Sequence, residues 1–133
     1  MINILYCGND KVFDGMLTSA LSILKRSRLD EPIRFFVFTM DVSHIKSDYL
    51  PVNNEQTEFL NRVVKEYNRE NSVVKIDVTE LYMREFSSCP NEDAYCSPYT
   101  LIRLFADLIP DIPDKLLYLD ADVMFNRDVH LLY

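Results

Sequence analysis

Glycine occurs twice in 133 residues, at Gly8 and Gly15, and tryptophan does not occur at all. So little glycine excludes two familiar ways of cradling phosphate. Neither a Gly-x-Gly-x-x-Gly turn nor a Gly-Lys-Ser/Thr loop can be read anywhere in the chain. Cysteine is also sparse: Cys7, Cys89 and Cys96 are odd in number and lack Cys-x-x-Cys spacing, which indicates neither a disulfide framework nor a zinc site, and all three are expected to be reduced. Positive charge is thin, with 14 Lys and Arg against 21 Asp and Glu, a net charge of −7 and a pI near 4.7. The basic residues are scattered, which argues against a nucleic-acid backbone as partner. No apolar run approaches the length of a membrane span. Residues Met1 to Tyr6 show neither the basic region nor the cleavage site of a secretory signal. A soluble cytosolic protein is the expectation.

What is present is a core of ordinary size for one domain, since 48% of the residues are hydrophobic. Ile2 to Tyr6 reads as a strand and Cys7-Gly8-Asn9-Asp10 as a tight turn. Phe13, Met16, Leu17, Ala20, Leu21 and Leu24 then mark an amphipathic helix. Ile33 to Thr39 is a second strand after the turn-prone Leu29-Asp30-Glu31-Pro32. Periodicity fails between Asp41 and Asn54, then Phe59, Leu60, Val63, Val64 and Tyr67 predict a helix, Val73 to Val78 a third strand, and Thr79 to Phe86 a short helix. Ser87 to Asn91 is polar loop. Ser97-Pro98 is a good helix start, and Pro110 and Pro113 stop that helix after Ile109, with Leu101, Ile102, Phe105, Leu108 and Ile109 as its buried stripe. Strands alternating with helices predict an α/β protein with a mostly parallel sheet.

The fourth strand, Leu116 to Leu119, is apolar without alternation, as a strand covered on both faces would be. It runs straight into Asp120-Ala121-Asp122. In extended backbone two such residues point the same way about 7 Å apart, so both carboxylates can lean toward one hard cation and leave positions open for phosphate oxygens. An arbitrary Asp-x-Asp more often just ends a strand and solvates a turn. Parallel sheets bind ligands at the carboxyl ends of their strands, and a doubly wound order places the first loop beside the fourth. In that first loop Gly8 lets backbone approach a ligand, and Asn9 with Asp10 can read the donor and acceptor edge of a base or simply solvate a turn. Arg103, expected beside the buried stripe, suits a diphosphate or an ordinary ion pair with Asp107. His44 and His130 stand isolated and are taken as surface residues.

With those residues in place the chain resembles the family 8 retaining glycosyltransferases of the GT-A type, the group that includes glycogenin and bacterial lipopolysaccharide galactosyl- and glucosyltransferases. The resemblance is carried by residues 3–10 at the start, residues 97–104 in the middle, and residues 117–123 near the end. It implies a GT-A, Rossmann-like α/β fold over residues 1–133, mostly parallel, with helices on both faces and incomplete at the carboxyl end. It also implies a UDP-sugar donor bound through Mn²⁺ or Mg²⁺, with Asp120 and Asp122 on the metal and Ala121 between them at the donor. Cys7 and Gly8 would line the nucleotide, Asn9 and Asp10 would contact uracil, and Arg103 would contact the donor. Lys11-Val12 stands where many members carry Asn-Tyr, so Phe13 is the aromatic expected to pack on uracil. A carbohydrate or glycoconjugate acceptor, hexosyl transfer with retention, polysaccharide biosynthesis, and a cytoplasmic place, if peripheral then at the inner face of the membrane, complete what the resemblance implies.

Only 11 residues follow Asp122, whereas the family carries a further metal-binding His, a Lys near the diphosphate and most of the acceptor pocket beyond this point. The chain is therefore expected to be the donor-binding half of a longer enzyme. Two other readings compete. One is a non-catalytic binding remnant whose unfinished sheet edge invites self-association. The other is a haloacid dehalogenase type of phosphotransferase with Asp120 as nucleophile and Asp122 as general acid.

Overall fold

A computed structural model gives the fold and describes residues 1–28, 30–90 and 97–133. Four strands form one parallel sheet in the order β3-β2-β1-β4. They are β1 (Ile2–Cys7), β2 (Ile33–Thr39), β3 (Ser72–Asp77) and β4 (Leu117–Tyr118). Helix α1 (Phe13–Arg26) joins β1 to β2, α2 (Asn54–Tyr67) joins β2 to β3, and α3 (Thr79–Phe86) follows β3. The expected α/β class and parallel sheet are what the chain adopts. Strand β1 lies between β2, with Ile2 opposite Ile33 and Cys7 opposite Phe38, and β4, with Ile4 opposite Leu117.

Alternation along β1 and β2 sorts their side chains onto two cores, one on each face of the sheet. Ile2, Ile4, Tyr6, Phe35 and Val37 pack with α1 and α2 on one face. Leu5, Phe36 and Phe38 pack with Tyr82 of α3 and with Tyr99, Ile102 and Phe105 on the other. Tyr6 and Asn71, buried polar side chains beside this sheet, are paired, which avoids the cost of an unmade hydrogen bond. The Tyr6 hydroxyl donates to Ser19 Oγ at 2.8 Å, and Asn71 accepts from the Ile33 amide at 2.8 Å while donating to the Val64 carbonyl at 2.9 Å.

Two expectations need correction, for residues 97–109 and for His130. Residues 97–109 form no α-helix. Pro98–Thr100 and Ile102–Phe105 are 3₁₀ turns, and the amides of Thr100, Leu101, Leu104, Ala106 and Leu108 all bond three residues back. The Thr100 hydroxyl competes locally by donating to the Ser97 carbonyl at 2.8 Å. With about three residues per turn, Tyr99, Ile102 and Phe105 align inward, while Leu104 and Leu108 are 58% and 56% exposed. Helix α2 starts earlier than its apolar stripe because Asn53 and Gln56 form a reciprocal capping box, the Asn53 side chain accepting from the Gln56 amide at 2.8 Å. His130 is not isolated. Its ring nitrogens face Asp128 Oδ1 at 2.5 Å and Glu31 Oε2 at 3.0 Å, and its side chain is 12% exposed. The expectations for Leu29, Asn91 and Cys96 lie outside the described residues.

The Asp128 carboxylate accepts from the His130 backbone amide, which, with the His130 ring and the Arg28 amide, holds its pKa down to about 2. A carboxylate lowered on folding contributes stability above its unfolded pKa and loses it as pH falls through the folded one. The Asp128 contribution should therefore fade between about pH 4 and pH 2. Thermal melts across that range should show a shallower acid decline for Asp128→Asn than for the parent chain.

Candidate functional site

The carboxyl ends of β2, β1 and β4 open into one cavity of about 650 Å³. Its floor is the end of β1, where Cys7, Gly8 and Asn9 line it. On one side stand Tyr118, Asp120, Ala121 and Asp122 after β4, and on the other Lys46, Asp48 and Tyr49 from the segment after β2. Lys11, Val12, Ser97, Tyr99 and Thr100 complete the lining.

The two aspartates do not continue an extended strand. The Val123 amide bonds back to the Asp120 carbonyl at 3.1 Å, so Asp120 to Val123 is a turn that carries both carboxylates, exposed, on the cavity side. Strand β4 is only two residues long, though the Leu119 amide still reaches the Leu5 carbonyl at 2.9 Å. The turn rests on α1 at Gly15, where a Cβ would lie 2.8 Å from the Ala121 carbonyl oxygen. The Tyr118 hydroxyl donates to Asp120 Oδ1. Partial burial and that hydrogen bond push the Tyr118 pKa up to about 12, so it remains a donor at neutral pH.

Of the expected site residues, Cys7, Gly8, Asn9, Asp120, Ala121 and Asp122 share the cavity. Asp10 lies just behind it, its amide donating to the Leu50 carbonyl at 3.1 Å and its carbonyl accepting from Gln56 Nε2 at 3.2 Å. Asn9 is 8% exposed, and Asn9 Oδ1, Asp10 Oδ1 and Asp48 Oδ1 are buried with no hydrogen-bond donor among the described residues. Phe13 is not in the cavity. It is a core residue under α1, and Val12 takes the lining position instead. Arg103 is exposed and does not line the cavity either. Its guanidinium sits 5.1 Å from the centre of the Tyr118 ring, a cation–π contact, and no ion pair joins it to Asp107 among the described residues.

Burial pushes the Cys7 thiol up to about 12, with Arg103 pulling it down and Asp120 raising it further. The thiolate is the reactive form. Native protein should thus leave Cys7 unmodified by iodoacetamide at pH 8, a result read by mass spectrometry, and unfolding in urea should expose it to alkylation.

Sequence reasoning missed Lys46, Asp48, Tyr49 and Tyr118. The first three lie in a stretch without periodicity. Its place directly after β2, whose end adjoins that of β1, was the available signal.

A parallel sheet with an Asp-x-Asp turn at one side of a carboxyl-end cavity is the arrangement on which the comparisons bear. Residues 3–133 match the model of Glycosyl transferase family 8. The chain belongs to that family. No curated protein matches it in sequence. Among solved structures, the galactosyltransferase LgtC in complex with donor and acceptor sugar analogs is similar at 22% identity with a TM-score of 0.69, over 98% of this chain and 41% of that one. An active-site mutant of LgtC gives 22% and 0.70, over 99% and 41%. The bifunctional glycosyltransferase WbbM in its apo form gives 17% and 0.68, over 98% and 20%. Mouse xyloside xylosyltransferase 1, also apo, gives 14% and 0.59, over 98% and 46%. At these identities the likeness speaks for the fold, and this family 8 chain spans less than half the length of each of those proteins. Among its described residues no helix is long and apolar enough to cross a membrane.

Proposed function

We propose that this chain holds the donor in a glycosyltransferase that moves a hexose from a UDP-sugar to a carbohydrate or glycoconjugate acceptor with retention of configuration. The observation that carries the proposal is the meeting of Asp120 and Asp122 with Cys7, Gly8 and Asn9 on one cavity at the carboxyl end of the sheet. Membership of family 8 supports sugar transfer, and the cavity's position is where open α/β sheets bind nucleotides.

The donor set suits Mn²⁺ or Mg²⁺. Two exposed carboxylates can occupy two positions on a hard cation and leave the rest to water and phosphate oxygens, and among the described residues no third His, Cys, Asp or Glu joins them. Such a cation, when bound, supplies charge stabilisation to the departing diphosphate. The chain's own residues orient and bind. Tyr118, protonated, holds the Asp120 carboxylate in one rotamer through its hydroxyl. Arg103 over the Tyr118 ring sets a positive charge beside the same wall. The unpaired oxygen of Asn9 is an acceptor awaiting a donor from the ligand, with that of Asp10 close behind it.

Isothermal titration of UDP, with Mn²⁺ and again with EDTA, tests the reading. Saturable binding that EDTA abolishes is the expected result. Folded protein that binds UDP in neither condition would overturn it.

Gly15 gives a second test. Gly15→Ala forces a methyl against the Ala121 carbonyl, an overpacking cost of about 1–3 kcal/mol, offset by about 1 kcal/mol of gained helix propensity. Urea unfolding should move modestly. Metal-dependent UDP binding should fall more, because the displaced atoms belong to the aspartate turn.

A further inference from the structure

The two aspartates of the turn are not alike. Asp122 is exposed and makes no hydrogen bond or ion pair among the described residues, so both of its carboxylate oxygens are open to a cation. Asp120 has one oxygen engaged, because the Tyr118 hydroxyl donates to Oδ1 and no described residue bonds Oδ2. That donor comes from the sheet and not from the turn. Tyr118 ends β4, stands opposite Leu5 in the parallel register, and packs against the core that holds Leu5 and Phe36. Arg103 adds a cation–π contact, 5.1 Å from the centre of the Tyr118 ring. Packing and guanidinium together hold the ring, and its hydroxyl meets the carboxylate from a fixed position.

A carboxylate with one oxygen engaged offers a cation one ligand in place of two. Cations differ in how they take this. Ca²⁺ gathers roughly six to eight oxygens and readily takes a carboxylate through both of its oxygens, whereas Mg²⁺ demands a near-ideal octahedron at about 2.0–2.1 Å and keeps several waters. Mn²⁺ shares the octahedral, oxygen-rich preference.

We propose that Tyr118 is a positioning residue that acts through Asp120: by holding Oδ1 it limits Asp120 to binding through a single oxygen and sets the site for a small octahedral cation, Mg²⁺ or Mn²⁺, against Ca²⁺. This rests on the donor-site reading above and deepens it, from whether a cation binds to which cation binds. The hydroxyl discriminates without touching the cation.

Tyr118→Phe is the test, since Phe fills the same half-buried space and lacks only the hydroxyl, and its thermal melt should stay near that of the parent. In titrations of UDP, the concentration of Mg²⁺ that half-saturates binding should rise roughly ten-fold or more, the loss typical of removing a partner that orients a metal ligand. Mn²⁺ should follow Mg²⁺, while the concentration of Ca²⁺ stays level or falls. A second readout uses Eu³⁺, an oxygen-seeking stand-in for Ca²⁺, bound with UDP. Its luminescence lifetimes in light and heavy water report the waters it keeps, and it should keep fewer on Tyr118→Phe than on the parent, because Asp120 then contributes its second oxygen. A preference between Mg²⁺ and Ca²⁺ equal to that of the parent, whether both affinities fall together or neither moves, would overturn the role of Tyr118 and leave the donor site standing. An unchanged count of waters on Eu³⁺ would overturn it as well. A parent chain that binds UDP with none of these cations would overturn the donor reading and this inference together.

Discussion

Asp122→Asn is expected to abolish Mn²⁺-dependent UDP binding while leaving the unfolding transition in place. Asp122 is exposed and makes no hydrogen bond or ion pair among the described residues, so the folded chain loses nothing when its charge goes. A cation held by two carboxylates loses half of its protein ligands. Residues that merely support a ligand cost about 10–100-fold in metal affinity when removed, and a direct ligand should cost at least that. Titration of UDP at fixed Mn²⁺, paired with a thermal melt, reads both halves of the expectation. Parent-like affinity in the variant would remove Asp122 from the metal site. Asp120→Asn is a less clean probe, because the Tyr118 hydroxyl also relies on that carboxylate.

The largest effect on stability is expected from the core on the α3 side of the sheet. Phe36 is fully enclosed there with Phe38, Tyr82, Ile102 and Phe105. Phe36→Ala should cost about 3–5 kcal/mol through lost burial and the void left behind, a large share of the roughly 5–15 kcal/mol that holds a domain folded. Urea unfolding should show a lower midpoint with an unchanged slope, the mark of reduced stability without a changed unfolded state. A shift under about 1 kcal/mol would mean that the surrounding rings collapse into the space.

The sheet was legible in the sequence because its signals are local and strong. The apolar runs of β1 and β2, and the shift to helical spacing at Phe13, can be read without knowing what packs on them. Aspartates after the last strand were legible for the same reason, and strand order put them beside the β1 loop as expected. What failed did so where two periods compete. Residues 99–109 carry apolar side chains compatible with 3.6 or about three residues per turn, and packing in one core with Leu5, Phe36 and Phe38, together with the Thr100 hydroxyl bond, goes with the tighter one. Phe13 looked available because it follows the loop directly, yet it is the first turn of α1 and points into the core. The pairing of His130 with Asp128 and Glu31 joins residues 99 apart at its longer reach, which no window along the sequence spans. Segment 41–52 has no pattern of its own, since its shape is set by anchors on the loop after β1, on Thr39 of β2 and on Thr79 of α3.

The tight turns at residues 98–105 make length, more than composition, the sensitive property of that stretch. Adding or removing one residue between Ser97 and Phe105 would rotate every following side chain by about 120°, carrying an inward ring out to solvent and swinging Arg103 away from Tyr118. Leu104 within it and Leu108 just after it should accept many substitutions, since their side chains face outward. Insertions and deletions there are therefore expected to be far rarer in functional variants than changes of residue at those two positions.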